Sequence, residues 1–341
     1  MKILKFYGYV FLVLLLSGVF VFVPTFFFPG SEVDVPVYSK TTARQIAQTL
    51  EDKGIIHFPV VFRALAKFTH ADRKLKAGLY RLSPRMSLWE VLSILAEGKS
   101  ELLALTVPEG YTVEQVGREL ERMKVMSAVT FVAAAQNKTL LKTLGIPGPS
   151  AEGYLFPETY RVPVGASAEA LVELMARQFF DSIGDDFESK VSEHGLTPYQ
   201  AVILASIVEK EAALSEERPK VAAVLYNRLH QKIRLEVNAT LNYVLSDKRA
   251  WLTNEQLGTQ SPYNTYQHRG LPPTPICNPG LAAMQAVLEP AEVPYLFYVA
   301  KGDGSGTQLF AATLAEHDRN VALAKKIRHE QRVKKRLESK H

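Results

Sequence analysis

The run Thr197-Pro-Tyr-Gln-Ala-Val-Ile-Leu-Ala-Ser-Ile-Val-Glu-Lys-Glu-Ala212 ends a long apolar stretch with two carboxylates two residues apart. Thr197 suits an N-cap, Pro198 the first helical position, and Gln200 completes a capping box, so a helix starts here. Residues 201–208 are almost wholly apolar, which predicts a helix buried on all sides. At ~100° per residue, Glu211 continues the stripe of Leu204, Ile207 and Val208, whereas Glu209 points roughly opposite, beside Ala205. A carboxyl group on an apolar stripe is partly withdrawn from water, which raises its pKa and lets it act as a general acid near neutrality. The same pattern also describes a buried helix that surfaces and turns its last charges to solvent. The rest of the chain has to decide between the two.

Other chemistries leave no trace. Eight histidines are scattered without a His-Glu-x-x-His pair, and one cysteine cannot form a zinc cluster, so no metal or cofactor is expected. There is no phosphate loop, no dinucleotide fingerprint and no Gly-x-Ser-x-Gly elbow; Gly302-Asp-Gly-Ser-Gly306 reads as a hairpin turn. Cys277, in a Pro-rich run without a His partner, reads as a buried structural thiol. What remains beside the carboxylate is a set of aromatic and amide residues in loops. Tyr154, Phe156, Tyr160, Tyr243, Tyr263, Asn264 and Tyr266 are of the kind that stacks on sugar faces and bonds hydroxyls and acetamides, although each alone is more often a core or turn residue.

Several elements must position these groups. From about residue 147 the chain reads as mainly helical with minor strands: helices over 167–188, from 215, over 281–288 and from about 313, and a strand over 295–300. The turn cluster Gly145-Ile-Pro-Gly-Pro-Ser150 marks a boundary. Before it a pattern recurs: Thr42-x-x-Gln45, Ser87-x-x-Glu90 and Thr112-x-x-Gln115 are capping boxes opening short amphipathic helices. Each follows a strand-like run, over 35–38, 78–82 and 103–107. Such strand-plus-helix units build small carbohydrate-binding modules of the LysM type; an α+β spacer fits equally. The fold class is therefore α+β, with residues 31–146 a LysM-like glycan-binding or spacer region and 147–324 a mainly helical catalytic domain.

Residues 6–28 carry no charge over 23 positions, enough to cross a bilayer. Lys2 and Lys5 precede the segment and Glu32 and Asp34 follow it, which predicts an uncleaved anchor over 1–30 with its N-terminus in the cytoplasm and the rest outside. The net charge of +5 is local: residues 325–341 hold eight Lys/Arg and two Glu, a net of +6 that leaves −1 for everything before. That distribution argues against a nucleic-acid partner and marks a basic C-terminal tail.

The stretch Ala205-Ser-Ile-Val-Glu-Lys-Glu211 together with Glu152-Gly-Tyr-Leu-Phe-Pro-Glu-Thr-Tyr160, Ser261-Pro-Tyr-Asn-Thr-Tyr266, Gly270-Leu-Pro-Pro273 and Asn278-Pro-Gly280 resembles the YceG-like family. Gly78-x-Tyr80, Pro108-Glu-Gly-Tyr-Thr112, Pro294-Tyr-Leu-Phe-Tyr298 and Glu316-His317 extend the resemblance over nearly the whole chain. These are membrane-bound endolytic murein transglycosylases of the bacterial inner membrane, with a lysozyme-like catalytic domain facing the periplasm. The resemblance implies that Glu211 is the catalytic acid, that nascent peptidoglycan strands are the substrate, and that peptidoglycan synthases are partners. For contacts to Glu211 or the glycan it points to Asn264, Tyr266 and Tyr263, and further to Tyr154, Glu158 and Asn238. A two-carboxylate muramidase using Glu211 with Glu152 or Glu158, and a non-catalytic glycan-binding scaffold, stay open. Two departures stand out: Val237-Asn-Ala-Thr240 replaces a common Ser-Asp-Pro-Thr, and Gln308 stands where a His is common.

Overall fold

The computed structural model describes residues 31–338 except 38–40, 77, 100–101, 164–165 and 246–251, with side chains described to residue 333. The expected membrane anchor and the end of the basic tail lie outside the described residues. Among the described residues no helix is long and apolar enough to cross a membrane.

The chain forms two compact units. The first comprises residues up to Leu105, Leu120–Met126 and Thr159–Leu171; the second comprises Thr106–Glu119, Ser127–Glu158 and everything from Val172. The turn cluster at 145–150 lies within the second unit, together with 127–144.

In the first unit, β1 (Val33–Val37) leads to α1 (Ala43–Asp52) and α2 (Pro59–Phe68), then β2 (Gly78–Leu82) and α3 (Leu88–Glu97). The strands pair antiparallel with Val35 opposite Tyr80. Their alternate residues Val35, Val37, Tyr80 and Leu82 join Ile46, Leu50, Phe62, Val91 and Leu95 in one core. The capping boxes of Thr42 and Ser87 form as the spacing requires, and α1 buries Ile46 and Leu50 at i and i+4. The three strand-plus-helix segments are not copies in space. β1 pairs with β2, whereas β3 (Leu102–Thr106) pairs with β4 (Thr159–Pro163), since a short strand needs a partner edge that a repeat of sequence does not supply.

In the second unit, most of α4 (Val113–Arg122, its last three residues counted with the first unit), α5 (Ala128–Ala135) and α6 (Lys138–Leu144) come first. The stretch expected as one helix over 167–188 is α7 (Ala168–Ile183) and α8 (Phe187–Glu193), broken at Gly184, whose φ of +81° ends the first. Next come α9 (Pro198–Glu211) and, after one 3-10 turn, α10 (Arg218–His230), which carries its proline in the first turn where no backbone donor is lost. α11 (Asn238–Val244), α12 (Asn254–Leu257) and α13 (Leu281–Leu288) follow, then the antiparallel pair β5 (Phe297–Ala300) and β6 (Gln308–Ala311) and the long α14 (Leu314–Glu338). α9 is the axis of this unit. Residues 201–208 are all buried against α8, α10, α11 and α13, so its helical stability comes from packing on every face.

Candidate active site

Glu211 is the last residue of α9, and the chain leaves the helix at Ala212 in an extended conformation. The apolar body of α9 therefore delivers one carboxyl group, half-buried, to the wall of a cleft of about 680 Å³. The opposite walls come from the loop before α11, from β5 and from one face of α14. The Tyr298 hydroxyl donates to Glu211 Oε2 at 3.1 Å, and the Ala239 backbone N–H donates to the same carboxylate. Burial raises the Glu211 pKa; the two hydrogen bonds pull it down without cancelling the effect. Glu211 is therefore a partly desolvated acid with two fixed donors and an open side.

Glu209 faces the other way. Its carboxylate pairs with Arg218 at 3.0 Å and accepts the Gly280 N–H at 3.1 Å, and its side chain is only 6% exposed. Burial raises its pKa as well, but the Gly280 N–H and the Arg218 cation oppose that, and it lines no part of the cleft. The two carboxylates thus leave the end of α9 on different sides, Glu211 toward Tyr298 and Glu209 toward Arg218.

Two expected loop residues reach the cleft. Tyr266 and Asn238 both line it, and the tyrosine hydroxyl donates to Asn238 Oδ1 at 2.6 Å. Burial, then the charges of Glu211 and Glu236, push the Tyr266 hydroxyl up to about 12, so it stays a neutral donor. The other expected residues stand elsewhere. Asn264 is wholly buried: its amide donates to the Leu257 and Thr259 carbonyls and its Oδ1 accepts the Tyr266 N–H, so it shapes the loop that presents Tyr266. Tyr263 bonds Thr274 at 2.7 Å and packs on Tyr243. Tyr154 sits in the core, edge-on to Phe179. Glu158 lies at the surface before β4, where its carbonyl accepts the Val107 N–H. None of these four lines the cleft beside Glu211.

Glu152, weighed as a second carboxylate, is also outside the cleft. It is 3% exposed and accepts from the Val113 N–H at the start of α4, from the Tyr243 hydroxyl at 3.1 Å and from Asn278 Nδ2 at 3.4 Å. Burial dominates and pushes its pKa up to about 8. Asn278 also accepts the Gly153 and Leu155 N–H groups at 2.9 Å, tying segments 108–111 and 152–155 to the Pro-rich run. Gly153 permits this closeness: at φ +90° a Cβ would stand 2.6 Å from Pro275. Cys277 in the same run is fully buried and donates its thiol to the Ser206 carbonyl of α9.

The reading of loops and helices missed three contributors. Tyr298 appeared only inside a longer motif; its place on a short strand, flanked by the Phe297 that packs on His317, is the signal that could have singled it out. Arg228 is a cation inside the apolar run of α10. It is 6% exposed and donates to the carbonyls of Leu296, Arg234 and Leu235 and to Glu236 Oε2 at 3.1 Å. One guanidinium thereby anchors both the segment leading into α11, whose first residues are Asn238 and Ala239, and the start of β5 that carries Tyr298. Glu236 is a second carboxylate in the cleft, held by that arginine on a backbone of φ +56°, which non-glycine residues seldom adopt. Gln308 supports the base of the site: its amide donates to the Glu211 carbonyl at 3.0 Å, and its backbone N–H donates to Glu217. Among the described residues no group of three or more His, Cys, Asp or Glu is placed to hold a metal.

Glu211 is thus an acid delivered by a helix end to the wall of a cleft. The YceG-like family profile matches residues 35–323, and the chain belongs to that family. It is 30% identical to the endolytic murein transglycosylase of Streptococcus pneumoniae D39 over 85% of this chain and 58% of that protein, so it spans little more than half of that relative's length. The endolytic murein transglycosylase of Bacillus subtilis 168 is 28% identical over 84% of this chain and 83% of its own. A crystal structure of a YceG-like protein from Listeria monocytogenes matches with a TM-score of 0.58 at 29% identity, over 85% of this chain and 99% of that one.

Proposed function

We propose that this protein is an endolytic murein transglycosylase in which Glu211 is the catalytic residue. The observation that carries the proposal is the Glu211 carboxyl group, its pKa raised by burial, opening on the cleft between the Tyr298 hydroxyl and the Ala239 N–H. Glu211 protonates the oxygen bridging N-acetylmuramic acid to N-acetylglucosamine. The bond to muramoyl C1 breaks, and positive charge develops on that carbon, sheltered by the sugar's own acetamide. The carboxylate left behind then takes the proton of the muramoyl C6 hydroxyl, whose oxygen closes on C1 as a 1,6-anhydro ring. No water enters the balance, so one carboxyl group serves as acid and then base. Tyr266 and Asn238 supply hydroxyl and amide groups for the sugar. The names of the relatives at about 30% identity support the same chemistry.

The uncharged segment at 6–28 supports a single membrane anchor with the cleft on the outer side of the inner membrane, near the synthases that extrude new strands. The β-α-α-β order of the first unit supports a LysM-like glycan-holding role. The test is digestion of purified glycan strands, with mass analysis of the new ends. Ends one water lighter than a reducing sugar are expected. A second reading rests on Glu236: with two carboxylates in one cleft a muramidase would hydrolyse the same bond, and reducing ends in the digest would select it.

A further inference from the structure

The cleft carries charges of both signs: Lys210, Glu211 and the pair Arg228–Glu236 line it, and one face of α14 forms a further lip, on which His317, Val321, Lys325 and Arg328 follow at intervals of four, four and three residues. That face runs ~16 Å along the helix axis at ~1.5 Å per residue. Arg328 is seated rather than free to wander. Its Nε donates to the Ala324 carbonyl at 3.2 Å, and its stem lies over Gly302, where an added Cβ would stand 2.5 Å from Arg328 Cγ. Lys325 is exposed and among the described residues has no ion-pair partner. Both cations lie beyond residue 323, where the match to the family profile ends.

We infer that this basic lip is a subsite for the carboxylates of the peptide stem borne by muramic acid. The inference rests on the proposed reading of Glu211. If the bond beside Glu211 belongs to muramic acid, the lactyl arm and peptide of that sugar must leave through the same cleft. A stem of five residues reaches at most ~17 Å when extended, at ~3.3–3.6 Å per residue, which is the length of the lip. Its free carboxylates meet two cations there, Lys325 and Arg328, while the sugar lies beside Glu211. The lip then favours strands that still carry stems over strands from which they have been removed.

The test uses the full chain carrying Glu211→Gln, and measures its affinity for uncross-linked strands with stems and for the same strands after amidase treatment. Stem-bearing strands should bind more tightly at low salt, and Lys325→Glu should reduce that ratio roughly fivefold, with Arg328→Gln acting in the same direction. A ratio that neither substitution changes overturns the inference. So does a loss that follows the diphosphate of lipid-linked strands instead of the stem, which would assign the lip to phosphate. Failure of the proposed function is separate: wild-type protein would leave both kinds of strand uncut, whatever the affinity ratio.

Discussion

Glu152 and Glu211 are two carboxyl groups raised by the same cause and set in opposite surroundings. Around Glu152 the Val113 N–H, the Tyr243 hydroxyl and Asn278 close the shell, and the group is 3% exposed. It holds the start of α4 against the Pro-rich run and has no route to a substrate. Around Glu211 two donors cover one side and the cleft leaves the other open. A perturbed carboxyl group therefore marks a candidate, and access decides whether it does chemistry or holds the fold.

The comparison breaks first at Glu211. Glu211→Gln keeps the shape but has no proton to transfer, so strand cleavage should fall by about 10² or more while the melting curve stays near wild type. Retained activity there, with loss in Glu209→Gln or Glu152→Gln, would reverse the assignment. Tyr298→Phe should come next, lowering the rate roughly tenfold by removing a bond to a charged group. The sign of its pH effect is fixed. The hydroxyl stabilises the carboxylate form, so its loss raises the Glu211 pKa further and moves the alkaline limb of the rate profile to higher pH. A limb moving to lower pH would contradict that geometry.

Glu209→Gln should cost about 1–3 kcal/mol of stability, read in a denaturation curve, because Arg218 then keeps Glu109 at 3.3 Å as its one carboxylate partner among the described residues, beside Ser215, while activity changes by less than about threefold. Glu152→Gln should affect the rate least and shows instead in stability against pH. With a native pKa of about 8 against an ordinary 4.5, the folded protein holds a proton that the unfolded chain has lost over that window. Stability therefore falls as pH rises from 4.5 to 8, by at most ~1.4 kcal/mol per pH unit from this group, and levels off above. The glutamine variant should flatten that slope.

Much of this was legible along the chain, for local reasons. The three capping boxes, α9 with its proline and its apolar body, and α13 over its full span are set by neighbours within four residues, which is the range of helix signals. The choice of Glu211 over Glu209 needed only the angle between them on a helix. The pairing of β1 with β2 was not legible, since strand partners are chosen by edges and cores far apart in sequence. Tyr263 and Asn264 show the same limit: both types suit a sugar site, and the structure places one on Thr274 and the other inside its own loop.

What the residues decided alone is that a buried helix starts at Thr197 and that its apolar stripe ends in a carboxyl group at Glu211, because helical periodicity is a property of the backbone. Only tertiary structure decided what surrounds that group. Tyr298, Ala239, Arg228 and Glu236 reach it from segments 17 to 87 positions away, brought together by burial of apolar surface rather than by any rule of spacing.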